Sequence, residues 1–349
     1  MNSEIDVLLL AAGLGTRLRP LTEDVPKALL PIYGTPLLDW HIARLLGGAS
    51  ASEIEPPRGG AEAAATSAPS PAGAVRARRV VVNAHHRADV VRSHLESHAL
   101  RERLALSHEP EILGTGGAIA KAAPLLASDP FAVLNADALF AAPIMEAVAF
   151  HRAHAFAATL VVVRWGPEPR VRVAGERVVE IAPDAAPDGF TFTGFQIVSH
   201  AFVSLLPAGV FHDVRETYRR LIPEGRLGAY VHEPAAGAPF IDIGTPESYL
   251  EAHRLTAGAA GERLGIRMEH GARPAAGFGF IDASARAGAG ALVRESVVLA
   301  GATIAGGVRV ERSIVGPGAT VQADTLDRLV TVHGARAIGT PAARAGEDR

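Results

Sequence analysis

The chain has 349 residues, 48% of them hydrophobic, a formal net charge of −3 and no cysteine. The length suits a large domain with a smaller one, and the missing cysteines exclude a disulfide framework, a zinc–cysteine site and a thiol nucleophile, pointing to a reducing compartment. The near-neutral charge gives no footprint for nucleic acid, and neither a signal peptide nor an apolar run of roughly 20 residues is present, so a cytoplasmic protein with no membrane partner is expected.

Residues 6–10 (DVLLL) form an apolar run that opens into AAGLGTRLRPLT, which predicts a buried parallel strand followed by a Gly-rich loop. Pro36 and the run LLDWHIARLL predict a helix over 36–46. Residues 49–75, rich in Ala, Pro, Ser and Gly, read as a flexible surface insertion. Strands follow at 79–83, 104–107, 131–135 and 157–163, alternating with helices at 89–98, 115–126 and 143–154. Such alternation predicts a doubly wound α/β domain, a mostly parallel sheet with helices on both faces. Ligands of such sheets bind beyond the carboxyl ends of the strands, where the Gly-rich loop and Asn135-Ala136-Asp137 both fall.

After a helix at 246–255 the texture changes. Val298, Ile304 and Val310 recur every six residues, and Val315 and Val321 resume the period after a one-residue slip, the pattern of hexapeptide repeats in a short left-handed parallel β-helix. A loose Ala/Gly/Val-rich loop is the other reading of the same residues. The expected division is a catalytic domain over 1–260, a β-helix domain over 261–334 and a disordered tail over 335–349. A structural or oligomer-forming role suits the repeat, which covers about four hexads; a hexapeptide segment also raises acetyl transfer, but no histidine there stands out as a base.

In residues 8–31, LLLAAGLGTRLRPLTEDVPKALLP, Gly13 and Gly15 let backbone amides approach phosphate oxygens. A turn is the commoner reason for such glycines. The third glycine of a dinucleotide-binding loop is missing, since position 18 is Leu, and there is no G-K-[ST]. Arg17 and Lys27 add two cations near the cradle, and Lys27 is one of only two lysines among 34 basic residues.

The segment resembles the signature G-x-G-T-R-L-x-P-L-T…P-K…P of the sugar-nucleotide pyrophosphorylases, or sugar-1-phosphate nucleotidyltransferases, with every fixed position present. EPEILGTGGA (109–118), VLNADALF (133–140), FTGFQIVS (192–199) and FIDIGTPESYLEA (240–252) resemble the same family in the same order. The resemblance implies a Rossmann-like domain taking a nucleoside triphosphate and a sugar 1-phosphate, with Ala11, Ala12, Gly13, Gly15 and Thr16 at the nucleotide. It implies that Arg17 holds the triphosphate and Lys27 the α-phosphate. Asp137 and Asp242 would share Mg²⁺ with the substrate phosphates, although on residue type alone each could be a cap or turn former.

By the same resemblance Glu109 contacts the base, and Gly114, with Gly116 and Gly117, lets a base or sugar lie against backbone. Asn135, Thr193 and Gly194 are expected at the sugar, with an ordinary turn or a strand bend as the plainer alternatives. Many relatives carry a Glu-Lys-Pro at the sugar phosphate. Here Glu180-Ile181-Ala182-Pro183 lacks the lysine, so Arg170 or Arg172 would have to supply the charge. Neighbouring His85 and His86 point apart on a strand end and read as solvated or capping residues. Guanylyl transfer to a mannose- or heptose-type phosphate and uridylyl transfer to an amino-sugar phosphate both fit, with a slight lean to the first. A relative that binds a nucleotide sugar without catalysis is the alternative of another class.

Overall fold

The computed structural model describes residues 4–47, 77–164, 169–233, 240–266 and 268–339. The insertion expected over 49–75 lies outside them. Two compact units divide the chain: Met1–Gly13 with His41–Phe240, and Leu14–Trp40 with Ile241–Arg349. The division expected from the sequence falls near residue 260. The signature segment and residues 241–260 belong to the same unit as the C-terminal strands.

The first unit is built on a nine-stranded sheet: β1 (Ile5–Leu10), β2 (Ala77–Ala84), β3 (Leu104–His108), β4 (Phe131–Asn135), β5 (Ala158–Val163), β6 (Pro169–Ala174), β7 (Arg177–Ile181), β8 (Phe190–Val198) and β9 (Leu227–Val231). Their spatial order is β3-β2-β1-β4-β8-β5-β9-β7-β6. Strands β3, β2, β1 and β4 run parallel, whereas β8 is antiparallel to both β4 and β5, and β7 to both β9 and β6. A mostly parallel sheet therefore describes one half only. The remainder is mixed because hairpins such as β6–β7 connect sequential neighbours.

Why the apolar runs became strands is visible in their burial. Leu8, Val81, Val133, Leu160 and Val162 pack in one cluster with Ile119 of helix α3 (Gly114–Ala122) and Tyr218 of helix Val214–Leu221. Their alternates Val7, Leu9, Val80 and Val82 are equally buried. Both faces are covered, which is why these strands read as continuous rather than alternating hydrophobic runs. Helices α1 (Leu37–Leu46), α2 (Ala88–Ser97) and α4 (Ile144–Ala153) stand where the sequence predicts them. No helix among the described residues is long and apolar enough to cross a membrane.

One buried charge anchors the start of this sheet. Asp6 is fully buried and accepts from Arg78 Nε at 2.9 Å and from the Ser128 amide at 3.0 Å, with the Ala127 amide also donating. Burial alone would raise its pKa, but the Arg78, Ala127 and Ser128 hydrogen bonds and the Arg78 charge outweigh that and hold it below the ordinary 3.8. A carboxylate with a depressed folded-state pKa stabilises the fold above its unfolded value and loses that contribution as pH falls through the folded value. Asp6→Asn is therefore expected to lower stability by about 2 kcal/mol at pH 7. Urea unfolding should show the gap between variant and parent closing as pH is lowered below 4.

The second unit carries helix Pro246–Leu255 and short strands from Arg273–Pro274 to Gly334–Ala337. Phe280–Ile281, Val297–Val298, Ile314–Val315 and Arg328–Thr331 stack in parallel in one sheet. Arg286–Ala287, Thr303–Ile304 and Thr320–Val321 form a second sheet, and Leu292–Arg294, Arg309–Glu311 and Thr325–Leu326 a third. Val298, Ile304, Val310, Val315 and Val321 fall on successive strands and point into one core. Val298 pairs with Val315, so the one-residue slip in the sequence is what makes the repeat return every 17 residues rather than 18. The parallel ladder begins at Phe280, well before Val298. Within the stretch expected as a tail from residue 335, Gly334–Ala337 pairs antiparallel with Arg328–Thr331, and residues 340–349 lie outside those described.

Candidate active site

In the first unit the strand order reverses at β1, which has β2 on one side and β4 on the other. That is the topological switch point of an open α/β sheet, where a crevice forms beyond the strand ends. Leu10 pairs with Asn135, and the Ala136 amide donates to the Leu10 carbonyl at 3.0 Å. Ala11, Ala12 and Gly13 therefore leave the sheet beside Asn135-Ala136-Asp137. A Cβ built on Gly13 would meet nothing within 4 Å, so its backbone is open to a ligand.

His41 of α1, unremarked in the sequence, supports the same loop. Burial, helped by the Arg44 charge, pushes its pKa down to about 4, and backbone groups of Ala138 and Ala136 hydrogen-bond to it. A neutral imidazole thus braces the residues on either side of Asp137.

Asn83, at the end of β2, was also missed. Its Oδ1 accepts from the Ala11 amide at 2.6 Å and its Nδ2 donates to Glu109 Oε1 at 2.7 Å. The other Glu109 oxygen accepts from the Leu113 amide at 3.0 Å, and Glu109 is 1% exposed. Through Asn83 its carboxylate ties the start of the Gly-rich loop to the start of α3, while the base contact at Glu109 stays an expectation from the sequence. The available signal was a polar residue closing an apolar strand, as at Asn135. Asn83→Ala would leave a buried carboxylate and the Ala11 amide short of partners, at about 2–3 kcal/mol. A lower urea midpoint together with weaker nucleotide binding is expected.

Gly114, Gly116 and Gly117 are required by a close approach, but of a peptide. Cβ atoms built there would lie 2.8 Å from His212 O, 2.5 Å from His212 Cδ2 and 2.5 Å from Val210 O respectively. The Gly116 amide donates to His212 O at 2.9 Å. The loop through Val210 and His212 packs directly against these glycines.

Asn135 and Gly194 do come together. Gly194 has φ +73°, and a Cβ there would sit 2.6 Å from Asn135 Nδ2. Thr193 does not share that role: it is 2% exposed, and its hydroxyl donates to Val161 O at 2.8 Å and accepts from the Phe195 amide at 3.3 Å. The register of β8 against β5 shifts between Phe192 and Gln196, so Thr193 ties down an irregular stretch of strand. On the neighbouring hairpin, Arg172 Nε lies 3.4 Å from Glu180 Oε2, beside the stretch that lacks the usual lysine. His85 Nδ1 engages Glu109 O at 2.8 Å, a structural contact.

In the second unit Gly15 has φ +60° and precedes a 3₁₀ turn over Thr16–Leu18. Its carbonyl accepts from the Thr22 hydroxyl at 2.8 Å, which closes the loop on itself. Arg17 and Thr16 are exposed, and Lys27 opens a second 3₁₀ turn, Lys27–Leu29, half-buried. Asp242 is exposed as well. The Arg17 guanidinium and the Asp242 carboxylate converge on buried Gly244: a Cβ there would lie 2.7 Å from Arg17 Nη2 and 3.3 Å from Asp242 Oδ2. Beyond Gly244, Thr245 caps helix Pro246–Leu255, its hydroxyl accepting from the Ser248 amide at 3.2 Å.

Among the described residues no three or more His, Asp or Glu side chains gather as a metal-binding cluster. A hard cation bound through one or two carboxylates and substrate oxygens requires none.

Residues 6–54 and 71–172 match the family described as nucleotidyl transferase. Over 331 residues, 92% of this chain and 82% of the relative, the sequence is 28% identical to mannose-1-phosphate guanylyltransferase of Mycobacterium tuberculosis. It is 36% identical over 137 residues to N-acetylmuramate alpha-1-phosphate uridylyltransferase of Caulobacter vibrioides, covering 38% of this chain and 46% of that protein. The fold is shared with the inositol-1-phosphate CTP transferase of T. maritima, with a TM-score of 0.55 at 17% identity over 74% of this chain and 98% of that one.

Proposed function

We infer, from the match of residues 6–54 and 71–172 to the nucleotidyl transferase family, that this chain joins a nucleoside triphosphate to a sugar 1-phosphate and releases pyrophosphate. The observation that carries the reading furthest is the convergence of Arg17 and Asp242 on Gly244, a cation and a carboxylate from segments more than two hundred residues apart in sequence. A cation and a carboxylate set side by side suit a polyphosphate and its counter-ion.

In the proposed reaction a phosphate oxygen of the sugar 1-phosphate attacks the α-phosphorus in line. One P–O bond forms as the α–β anhydride bond breaks, and the electron pair leaves with pyrophosphate. The nucleophile is already an anion, so no general base is needed. Rate then comes from positioning and charge neutralisation. Arg17 offsets charge on the departing phosphates and Lys27 that on the α-phosphate, while the amides of residues 11–16 supply neutral donors. The exposed carboxylate of Asp242 and the half-buried one of Asp137 are hard oxygen donors of the type Mg²⁺ accepts. Bound to such carboxylates, Mg²⁺ would neutralise phosphate charge as a Lewis acid. Asn135 and the Gly194 backbone are assigned to the sugar, and Arg172, beside Glu180, to its phosphate.

Guanylyl transfer to a mannose- or heptose-type phosphate is the preferred specificity, supported by the length of the match to the mycobacterial relative. Uridylyl transfer to an amino-sugar phosphate is the second reading, favoured by the missing Glu-Lys-Pro lysine and the Caulobacter relative. We place the enzyme in the cytoplasm, assembled as a homo-oligomer through a β-helix formed by the stacked C-terminal strands, an assembly that light scattering would detect. Mass spectrometry of products formed from four triphosphates crossed with several sugar 1-phosphates tests the specificity. GDP-mannose or a GDP-heptose is the expected product, and a UDP-amino sugar as the sole product would replace this reading with the second.

A further inference from the structure

The hairpin that ends the described C-terminal strands reaches back to the signature segment. Arg336 pairs across the hairpin with buried Leu329, and its Nη2 donates to the main-chain carbonyl of Arg17 at 2.7 Å. The Gly339 amide donates to Glu247 Oε1 at 2.5 Å. Burial would raise the Glu247 pKa, but the Gly339 amide, the Thr245 hydroxyl and the Arg336 charge hold it below its ordinary value. At the hairpin turn His333 Nε2 lies 2.5 Å from Asp24 Oδ2, with Glu23 Oε2 3.7 Å from Nδ1. The hairpin therefore touches the loop of Arg17, the following turn at Glu23-Asp24, and the head of the helix that follows Gly244.

These contacts are not equal. The His333 pair is solvent-exposed on both sides, a class of interaction worth little. Arg336 joins a charged donor to a backbone acceptor that cannot swing away, which makes its bond the stronger one although it too is solvent-exposed. The bond falls on the residue whose side chain lies against Gly244 beside Asp242. An arginine side chain on an unsupported loop must lose backbone as well as rotamer freedom when it binds. Fixing the carbonyl of Arg17 removes the backbone part of that cost in advance.

We propose that Arg336, supplied by the C-terminal hairpin, is a positioning residue that holds the Arg17 loop against the Gly244–Glu247 turn and so presets the triphosphate-binding geometry. The inference rests on the reading of Arg17 as a triphosphate ligand. It gives the C-terminal strands a part in the transfer reaction itself.

Arg336→Ala and Arg336→Lys in the full chain test this. With Arg336→Ala, KM for the triphosphate is expected to rise about tenfold, the effect of one charge-assisted hydrogen bond, while KM for the sugar 1-phosphate stays within about twofold of the parent. Arg336→Lys should recover part of the loss, and Arg336→Ala should add nothing in an Arg17→Ala background. Hydrogen exchange supplies a readout independent of turnover. The Leu18 and Arg19 amides, bonded to Gly15 O and Thr16 O, should exchange about tenfold faster in Arg336→Ala, with Val297–Val298 and Ile314–Val315 unchanged. Unchanged exchange at Leu18 and Arg19, or loss of protection through the repeat strands as well, overturns the proposal. So does an equal loss in the Arg17→Ala background. A parent enzyme that turns over no substrate pair would sink the functional reading instead, and the exchange measurement would still decide whether the hairpin holds the loop.

Discussion

Asp242→Asn is expected to lower kcat by on the order of 10²–10³ while leaving the fold intact, by analogy with removal of one preorganised charge-stabilising group. The side chain is exposed, and surface substitutions of that kind usually shift stability by no more than about 0.5 kcal/mol. Asparagine keeps an oxygen in place but not the charge that a hard cation needs. The loss should therefore be relieved in part by raising the Mg²⁺ concentration, because weakened metal affinity responds to mass action. Steady-state pyrophosphate release at two Mg²⁺ concentrations checks both statements. A variant within about threefold of the parent at low Mg²⁺ would remove Asp242 from the site.

Gly244→Ala should produce a comparable defect for a different reason. The position does not have the left-handed φ that only glycine tolerates, so its backbone accepts alanine. The new methyl would, however, stand 2.7 Å from Arg17 Nη2 and 3.1 Å from Arg17 Cζ. What must move is the far end of a flexible side chain, which costs the fold little. The displaced guanidinium is nonetheless the group assigned to the triphosphate, and a misplacement of about 1 Å can cost 10²-fold in rate. The expected outcome is an unchanged melting temperature with KM for the triphosphate raised and kcat lowered by about 10–10². A stable variant with parental kinetics would show that Arg17 is not needed where it lies.

How much of this was legible in the sequence depends on the range of the interaction. DVLLL announced β1 because a strand buried on both faces reads as a near-continuous apolar run, here after the buried charge of Asp6, and Asn135-Ala136-Asp137 could be placed at its carboxyl end by the rule for open sheets. The repeat was legible down to its slip, since Val298 and Val315 occupy equivalent places one turn apart. Glycines 114, 116 and 117 reported close approach but not of what; the Val210–His212 loop lies against them, with the His212 ring nearest Gly116. Glu109 carried a family role by position, and its oxygens also engage Asn83 and the Leu113 amide, a geometry with no local signature. Thr193 is turned inward by an irregular stretch of strand that no residue pattern marks. Arg336 is the extreme case, 319 residues from the loop it contacts and set in a segment whose composition suggests a solvated tail.

The most direct test of the central claim is pyrophosphate release by the purified full-length protein with Mg²⁺, measured with a triphosphate and a sugar 1-phosphate together and with each alone. Release that requires both, matched one to one by nucleotide sugar, is the predicted result. Binding of a nucleotide sugar with no pyrophosphate from any pair would contradict it and mark the chain as a non-catalytic relative.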